Sequence, residues 1–328
     1  MNLLVVGGAG FIGSATSHRL IEAGHRVAVL DNLSKGHRAA VHPSARFVEG
    51  DLGDSILVGR ICADEGIEAA LHFAAFTEVG ESVENPAKYF DNNSFRVMAL
   101  LDALLASGVR QFVFSSTAAV YGEPVAIPIT EDHPRSPTNP YGWSKLFVEE
   151  ILAAYRVAYG LRSTCLRYFN AAGADFGLGE DHHPESHLIP VILEVAEGRR
   201  EAIKLFGTDW DTPDGTCIRD YIHVADLAEA HLLAVDRLNS GDPGGAFNLG
   251  NGEGHSVREV IETARKVTGH PIPEIAAPRR AGDPARLVAS SDKARQLLGW
   301  TPKHPSLEDI VSSAWDWRRT HPRGYNDR

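Results

Sequence analysis

Cysteine is scarce in this 328-residue chain: there are three, Cys62, Cys165 and Cys217, odd in number and far apart, with no Cys-x-x-Cys. That excludes the disulfide framework of a small secreted scaffold, and the three read as reduced thiols filling cores. Basic charge is in deficit as well. Thirty-two Lys and Arg stand against 43 Asp and Glu, a formal net charge of −11 with no long basic run, which excludes a nucleic-acid wrapper. No apolar run approaches the ~18 residues that a membrane span requires. Met1 to Val6 passes straight into glycines, without a charged leader or cleavage site. The expectation is a soluble, cytoplasmic protein that binds neither nucleic acid nor membrane. What the chain does have is bulk: 43% of its residues are hydrophobic, and a chain of this length buries roughly 75% of its unfolded surface without staples.

Residues 2–6 are apolar throughout, too short for a helix, and stop at Gly7-Gly8-Ala9-Gly10, the pattern of a strand buried on both faces. A helical pattern over 11–23 ends at Gly24, and Val27 to Leu30 forms a second buried run closed by Asp31-Asn32. The alternation continues, with strands predicted near 46–49, 69–73, 112–115 and 164–169 and helices near 54–65, 86–106 and 140–159. This beat predicts an α/β fold with a doubly wound parallel sheet, the Rossmann architecture. After Gly173 the rhythm gives way to loops with Gly, Pro and His, then to helices near 190–198, 225–238 and 256–268. The expected division is a first domain over 1–172 and a smaller α+β domain over 173–328, with some of its segments returning to the first sheet. The tail from His321 to Arg328 has little to bury and is expected to fray.

Gly7, Gly10 and Gly13 fit G-x-x-G-x-x-G, and their position between the first strand and the first helix gives the triplet meaning. Glycine permits the tight turn and close approach of a pyrophosphate, while the opening helix amides, at Phe11 and Ile12, face the anion. Asp31 lies 18 residues past Gly13 at the end of the second strand, where a carboxylate accepts hydrogen bonds from ribose hydroxyls and repels a 2′-phosphate. NAD is therefore the expected cofactor, with Lys35 and Arg38 close enough to soften the preference. Asp51-Leu52 and Phe73-Ala74-Ala75 end the third and fourth strands, and position alone reads them equally as lining a cofactor or as ordinary strand-end residues. Tyr141 and Lys145 stand four apart on one face of a helix beginning after Asn139-Pro140. An ammonium beside a phenol favours phenolate, drawing a group with a reference pKa of about 10 toward a useful base. The preceding strand ends Phe114-Ser115-Ser116-Thr117, placing hydroxyls at the edge where ligands bind an open sheet. These parts describe hydride transfer at a carbinol carbon, with Tyr141 moving the proton, Thr117 holding the hydroxyl and Lys145 fixing the cofactor ribose.

With these residues the chain resembles the extended short-chain dehydrogenase/reductases, nucleotide-sugar epimerases among them. The likeness runs through Gly7 to Ser14, Asp31-Asn32-Leu33, Val79-Gly80-Glu81-Ser82, Asp91-Asn92-Asn93, Ser115 to Gly122, Tyr141 to Lys145 and Arg167-Tyr168-Phe169-Asn170. It continues through Phe206-Gly207, Asp214-Gly215-Thr216, Arg219 to Val224, Arg279 to Asp283 and Leu298-Gly299-Trp300. The resemblance implies a retained NAD and inversion at C4′ of a UDP-hexose without net redox. It further implies that Asn32, Asn92, Ser115 and Phe169 line the cofactor. The UDP-sugar would then meet Asn170, Leu188, Lys204-Leu205-Phe206, Arg219, Arg280 and Asp283, the arginines suiting a diphosphate on an acidic protein. A homodimer through the helices near 86–106 and 140–159 is implied too.

Three departures matter. Thr77 stands where some relatives carry a lysine near the nicotinamide, Thr117 replaces a common serine, and Leu287 stands where some relatives wall the sugar pocket with tyrosine. Leucine leaves more room, so N-acetylated sugars are expected to be tolerated; UDP-pentoses remain an alternative. A 4,6-dehydratase is disfavoured because Ala118-Ala119 follows Thr117 where such enzymes place an acid pair. A non-catalytic NAD sensor is disfavoured by the presence of both Tyr141 and Lys145. His182-His183 and His187 sit among Glu180, Asp181 and Glu185 in a Pro-containing loop, which reads as a solvated segment flanking substrate, with no metal expected. His223 reads as a hydrogen-bonded structural residue beside the next helix.

Overall fold

Alternate residues of the first apolar run serve two different cores, which is why the run is continuous. In β1 (Asn2–Val6), Leu3 and Val5 face one layer of helices, while Leu4 and Val6 face the other. In this computed structural model, which describes residues 1–280 and 282–325, the chain continues through α1 (Phe11–Glu22), β2 (Arg26–Asp31), β3 (Arg46–Glu49), α2 (Ser55–Glu65) and β4 (Ala69–His72). Next come α3 (Val79–Glu84), α4 (Pro86–Phe90), α5 (Arg96–Ala106), β5 (Gln111–Thr117), α6 (Pro140–Tyr159), β6 (Arg162–Tyr168) and β7 (Asn170–Ala172). The remainder comprises α7 (Leu188–Ala196), β8 (Ile203–Phe206), β9 (Ile218–His223), α8 (Val224–Asn239), β10 (Gly244–Leu249), β11 (Gly254–Ser256), α9 (Val257–Thr268), β12 (Glu274–Ala277), β13 (Arg286–Leu287), α10 (Asp292–Leu298) and α11 (Leu307–Thr320).

Seven parallel strands form one sheet in the order β10-β6-β5-β4-β1-β2-β3. The α/β doubly wound expectation holds: α2, α5 and α6 cover one face, and α1, α8 and α10 the other. Thus β10, α8 and α10, all late in sequence, lie on the Rossmann sheet. The rest of the C-terminal half forms a lobe in which β7, β9, β11 and β13 make one small sheet and β8 and β12 another, with α7, α9 and α11 packed on their own core. Among the described residues, no helix is long and apolar enough to cross a membrane.

Two sequence expectations need correction. The helix predicted over 86–106 is interrupted, because Asp91–Phe95 forms a π turn between α4 and α5, and such turns recur at functional sites. The tail does not fray over 321–325: the Trp317 and His321 rings stack 4.8 Å apart, and the Tyr325 hydroxyl donates to the Gly179 carbonyl at 2.9 Å. Asn326 to Arg328, and Ala281 of the Arg279–Asp283 motif, lie outside the described residues.

Two buried histidines set an acid limit. His231 donates through Nδ1 to the Leu227 carbonyl at 2.7 Å and accepts the Tyr168 hydroxyl at Nε2, which holds it neutral. Burial pushes its pKa down to about 4, and burial with the nearby Lys145 charge pushes His72 down to about 3. The unfolded chain binds more protons than the folded one below about pH 6.5. Stability should therefore fall as pH drops through that value, by about 2 kcal/mol per histidine at pH 5. Urea denaturation at pH 7.5 and pH 5 checks this, and equal midpoints would refute it.

Candidate active site

The turn between β1 and α1 accepts no side chain at its key positions. Gly7 has φ +81°, a Cβ there would lie 2.4 Å from the Ala74 nitrogen, and one on Gly13 would lie 2.2 Å from the Gly7 carbonyl oxygen. Gly10 caps α1 without a side-chain hydrogen bond and no acidic residue occupies the first turn, so the amides at Phe11 and Ile12 present an anion-receptive helix end. The Asp31 carboxylate, at the tip of β2, accepts from the Ala9 amide at 2.9 Å and the Leu33 amide at 2.8 Å. It thereby holds the glycine turn against the strand end. The two cations that next follow in sequence are committed: Lys35 Nζ donates to Glu78 and to the His183 carbonyl, both at 3.1 Å, and Arg38 stacks 4.5 Å over Phe47. Neither leaves Asp31 countered by a free cation, in keeping with an unphosphorylated ribose.

Around the groove, Asp51 pairs with Arg96 at 2.7 Å and lies 3.5 Å from the Asn32 amide nitrogen. Leu52 is only 5% exposed and packs into the core, so it offers the cofactor little beyond backbone. Phe73 lies 4.7 Å from the His231 ring, and the backbone of Phe73 and Ala74 runs hard against Gly7, followed by Ala75. Asn92 sits in the π turn and donates to Asn93 Oδ1 at 2.9 Å. The residues present fit a dinucleotide: a turn with no room for Cβ, open helix amides and a ribose-height carboxylate.

Thr117 closes β5, and α6 opens opposite it, with Asn139 accepting from the Gly142 amide at 2.9 Å. This aims Tyr141 and Lys145 at the carboxyl edge of the sheet. The Thr117 side chain is near enough to the Tyr141 phenol to lower its pKa, and Lys145 Nζ, buried, donates to the Ser115 carbonyl at 2.9 Å and lies 5.0 Å over Phe114. The expectation that Lys145 draws the phenol toward phenolate is not met. Burial pushes the Tyr141 pKa up, opposed by Thr117, and pushes Lys145 down to about 7. Desolvation penalises both charged forms, and the ammonium is directed at a carbonyl instead of the phenol.

Sequence reasoning missed the network beneath this pair. Glu149, one turn beyond Lys145, is buried and takes two bonds from Arg167, at 2.9 and 2.6 Å, and one from Ser116 at 2.6 Å. Arg167 also donates to the Tyr121 hydroxyl at 2.7 Å, which donates onward to Asn248 at 2.6 Å. The continued i, i+4 spacing from Tyr141 and Lys145 was the available signal. Asn93 is a second such residue: its side chain accepts from the Phe76 amide and donates to the Phe76 carbonyl, each at 2.9 Å, and donates to Ser144 at 3.2 Å. It ties the loop after β4 to the catalytic helix.

The small lobe brings the other candidates over this edge. In register, β13 sets Leu287 beside Arg219 of β9, and β7 sets Asn170 beside Tyr221. Leu287 and Phe169 pack on the cluster holding Ala118 and Leu146, next to Thr117 and Lys145. Arg219 lies 4.0 Å from Asp283, and the Arg280 guanidinium stands 3.8 Å over the Phe206 ring. Thr138, just before α6, donates to the Gly282 carbonyl at 3.3 Å, joining this segment to the catalytic helix. Of Lys204-Leu205-Phe206, only Phe206 faces Arg280; Lys204 is exposed and Leu205 is buried in the lobe core. Leu188 opens α7, partly buried against the same core. His223 accepts from the Ala225 amide at 3.2 Å and caps α8.

The loop over 180–187 is only in part the solvated segment expected: His183, Pro184 and Ser186 are exposed, but the two glutamates are not. The Glu180 and Glu185 side chains are 7% and 3% exposed, because the C-terminal segment with Trp317 and Tyr325 packs over the loop's start.

Comparison with known proteins agrees with this geometry. The pattern of the NAD dependent epimerase/dehydratase family matches residues 3–250. The UDP-glucose 4-epimerase of Streptomyces lividans is 56% identical, over 99% of this chain and 98% of its own. The crystal structure of UDP-glucose 4-epimerase from Brucella ovis in complex with NAD is 47% identical and superposes with a TM-score of 0.93, covering 96% of this chain and 97% of that one. The UDP-Glc/GlcNAc 4-epimerase of Campylobacter jejuni is 45% identical with a TM-score of 0.85, covering 97% and 99%. On sequence and fold alike, this chain belongs to the NAD dependent epimerase/dehydratase family.

Proposed function

We propose that this protein is a UDP-hexose 4-epimerase that interconverts UDP-glucose and UDP-galactose with NAD retained. The observation that carries this reading is Tyr141 and Lys145 on one face of α6, with Lys145 buried on the Ser115 carbonyl and Thr117 closing β5, at the same sheet edge as the Gly7–Gly13 turn. When bound, NAD supplies reversible hydride acceptance at the sugar carbon. The chain's own part is proton handling: Tyr141 takes the 4′-hydroxyl proton and returns it on the opposite face, while Thr117 orients that hydroxyl. Lys145 and the ribose-height Asp31 hold the cofactor; Arg219 and Arg280 hold the diphosphate, so the sugar can turn while the nucleotide stays put.

Proton NMR of the anomeric region after mixing purified protein with UDP-galactose tests this. UDP-glucose signals should grow to a fixed ratio, first without added NAD. Silence even with NAD present, or accumulation of NADH, would refute the reading.

Leucine at 287, smaller than the tyrosine that walls the sugar pocket of some relatives, supports a second substrate class. UDP-N-acetylglucosamine should be converted at a rate within about tenfold of UDP-glucose, since one wall residue changes discrimination by only a few kcal/mol. No turnover of it by a preparation active on UDP-glucose would show that the pocket is closed elsewhere.

A homodimer is supported by apolar side chains exposed on the helices expected to pair: Phe95 is 64% exposed, Met98 37%, Trp143 39% and Phe147 43%. A patch of this kind on a soluble chain marks an interaction surface. Sedimentation should give twice the mass of one chain; a monomer at micromolar concentration would overturn the assignment. The three buried, unpaired cysteines support a reducing, cytoplasmic setting.

A further inference from the structure

From the loop ahead of α7, we infer a structural zinc site formed by Glu180, His182, Glu185 and His187. These four residues each offer one ligand atom, and the four atoms all lie within 4.8 Å of one another. His187 Nδ1 is 2.8 Å from Glu180 and 3.2 Å from Glu185; His182 Nδ1 is 3.2 Å from Glu180 and 3.9 Å from Glu185. Tetrahedral zinc with bonds of about 2.0–2.2 Å sets its ligand atoms about 3.3–3.6 Å apart, in the middle of that range. Two ring nitrogens and two carboxylates converge on one point, with the Glu180 and Glu185 side chains almost fully buried. A divalent cation neutralises both carboxylates and gives each Nδ1 lone pair an acceptor. The imidazole and carboxylate set, without thiolate, suits a borderline ion such as zinc.

The surroundings look after the ligands. Glu185 Oε1 accepts the Ser186 and His187 amides at 2.8 and 2.9 Å, which orients the carboxylate before any ion arrives. All four ligands come from eight consecutive residues and are all protein side chains, the donor set of a structural site. The loop it fastens touches the main domain, through His37 Nε2 to the Asp181 carbonyl at 2.9 Å and Lys35 to the His183 carbonyl. Its last ligand directly precedes α7. The ion would thus staple the small lobe to the loop that follows Asp31.

The test uses untagged full-length protein, stripped with a chelator, exposed to excess zinc sulfate, desalted and analysed for metal by mass spectrometry. About one zinc per chain should remain on the wild type, and less than about a tenth on the His182→Ala, His187→Ala double variant. The stripped wild type should melt several degrees lower and recover with zinc, because an ion bound only to the folded state stabilises it. Should the double variant fail to fold, cobalt titration of the stripped wild type decides: the intense visible bands of four-coordinate cobalt support the site, and their absence overturns it. Wild type that keeps less than about a tenth of an equivalent after exposure to zinc also overturns it, leaving the cluster as plain histidine–carboxylate ion pairs.

Discussion

Replacing Tyr141 by Phe should cut kcat by about a thousandfold or more while NAD remains bound, the upper part of the range for removing a general acid–base group. The substitution deletes one oxygen, and the ring stays where α6 holds it. Thr117 keeps the bond from the Ala119 amide at 3.1 Å, so the strand end is not set adrift. The cofactor groove depends on the glycine turn, Asp31 and Lys145, none of which bonds the phenol. Turnover by NMR and bound nucleotide by absorbance, measured on one preparation, separate the two. If activity stayed within about tenfold, the proton would be moving through another group.

Glu149→Ala should cost about 3–5 kcal/mol of stability, because it strands the buried Arg167 guanidinium without its counter-charge. The Glu149 and Arg167 side chains are 4% and 3% exposed, so water cannot substitute. Ser116 loses its acceptor at the same time, and α6 loses one of its ties to each of β5 and β6. Urea denaturation measures the loss, which should exceed that of a double replacement, Glu149→Leu with Arg167→Met, where no charge is left unpaired. A single variant within about 1 kcal/mol of wild type would mean that the network carries little of the packing. Catalysis should suffer in the single variant even where it folds, since Tyr141 stands two turns up the same helix.

Much of the site was legible because its parts are local. The glycine turn, the acidic strand end and the Tyr141–Lys145 spacing are patterns within a few residues, each dictated by backbone sterics or helix periodicity. The Leu287 position was also legible, but only through resemblance. Lys145 shows the limit: its spacing from Tyr141 is a sequence property, whereas its hydrogen bond to Ser115 depends on how deeply α6 sinks against β5.

By itself, then, the sequence determined the alternation of strands and helices, the parallel sheet that follows from it, the dinucleotide turn and the residues aimed at the sheet edge. Tertiary structure alone decided that β10 and α8 belong to that sheet, that Glu149 anchors the catalytic helix, and that two glutamates and two histidines of one loop offer ligand atoms within 4.8 Å of one another. The physical reason is range. Backbone preference and hydrophobic period act over a turn or a strand, but burial, and with it every shifted pKa and every enclosed charge, depends on what distant segments pack on top.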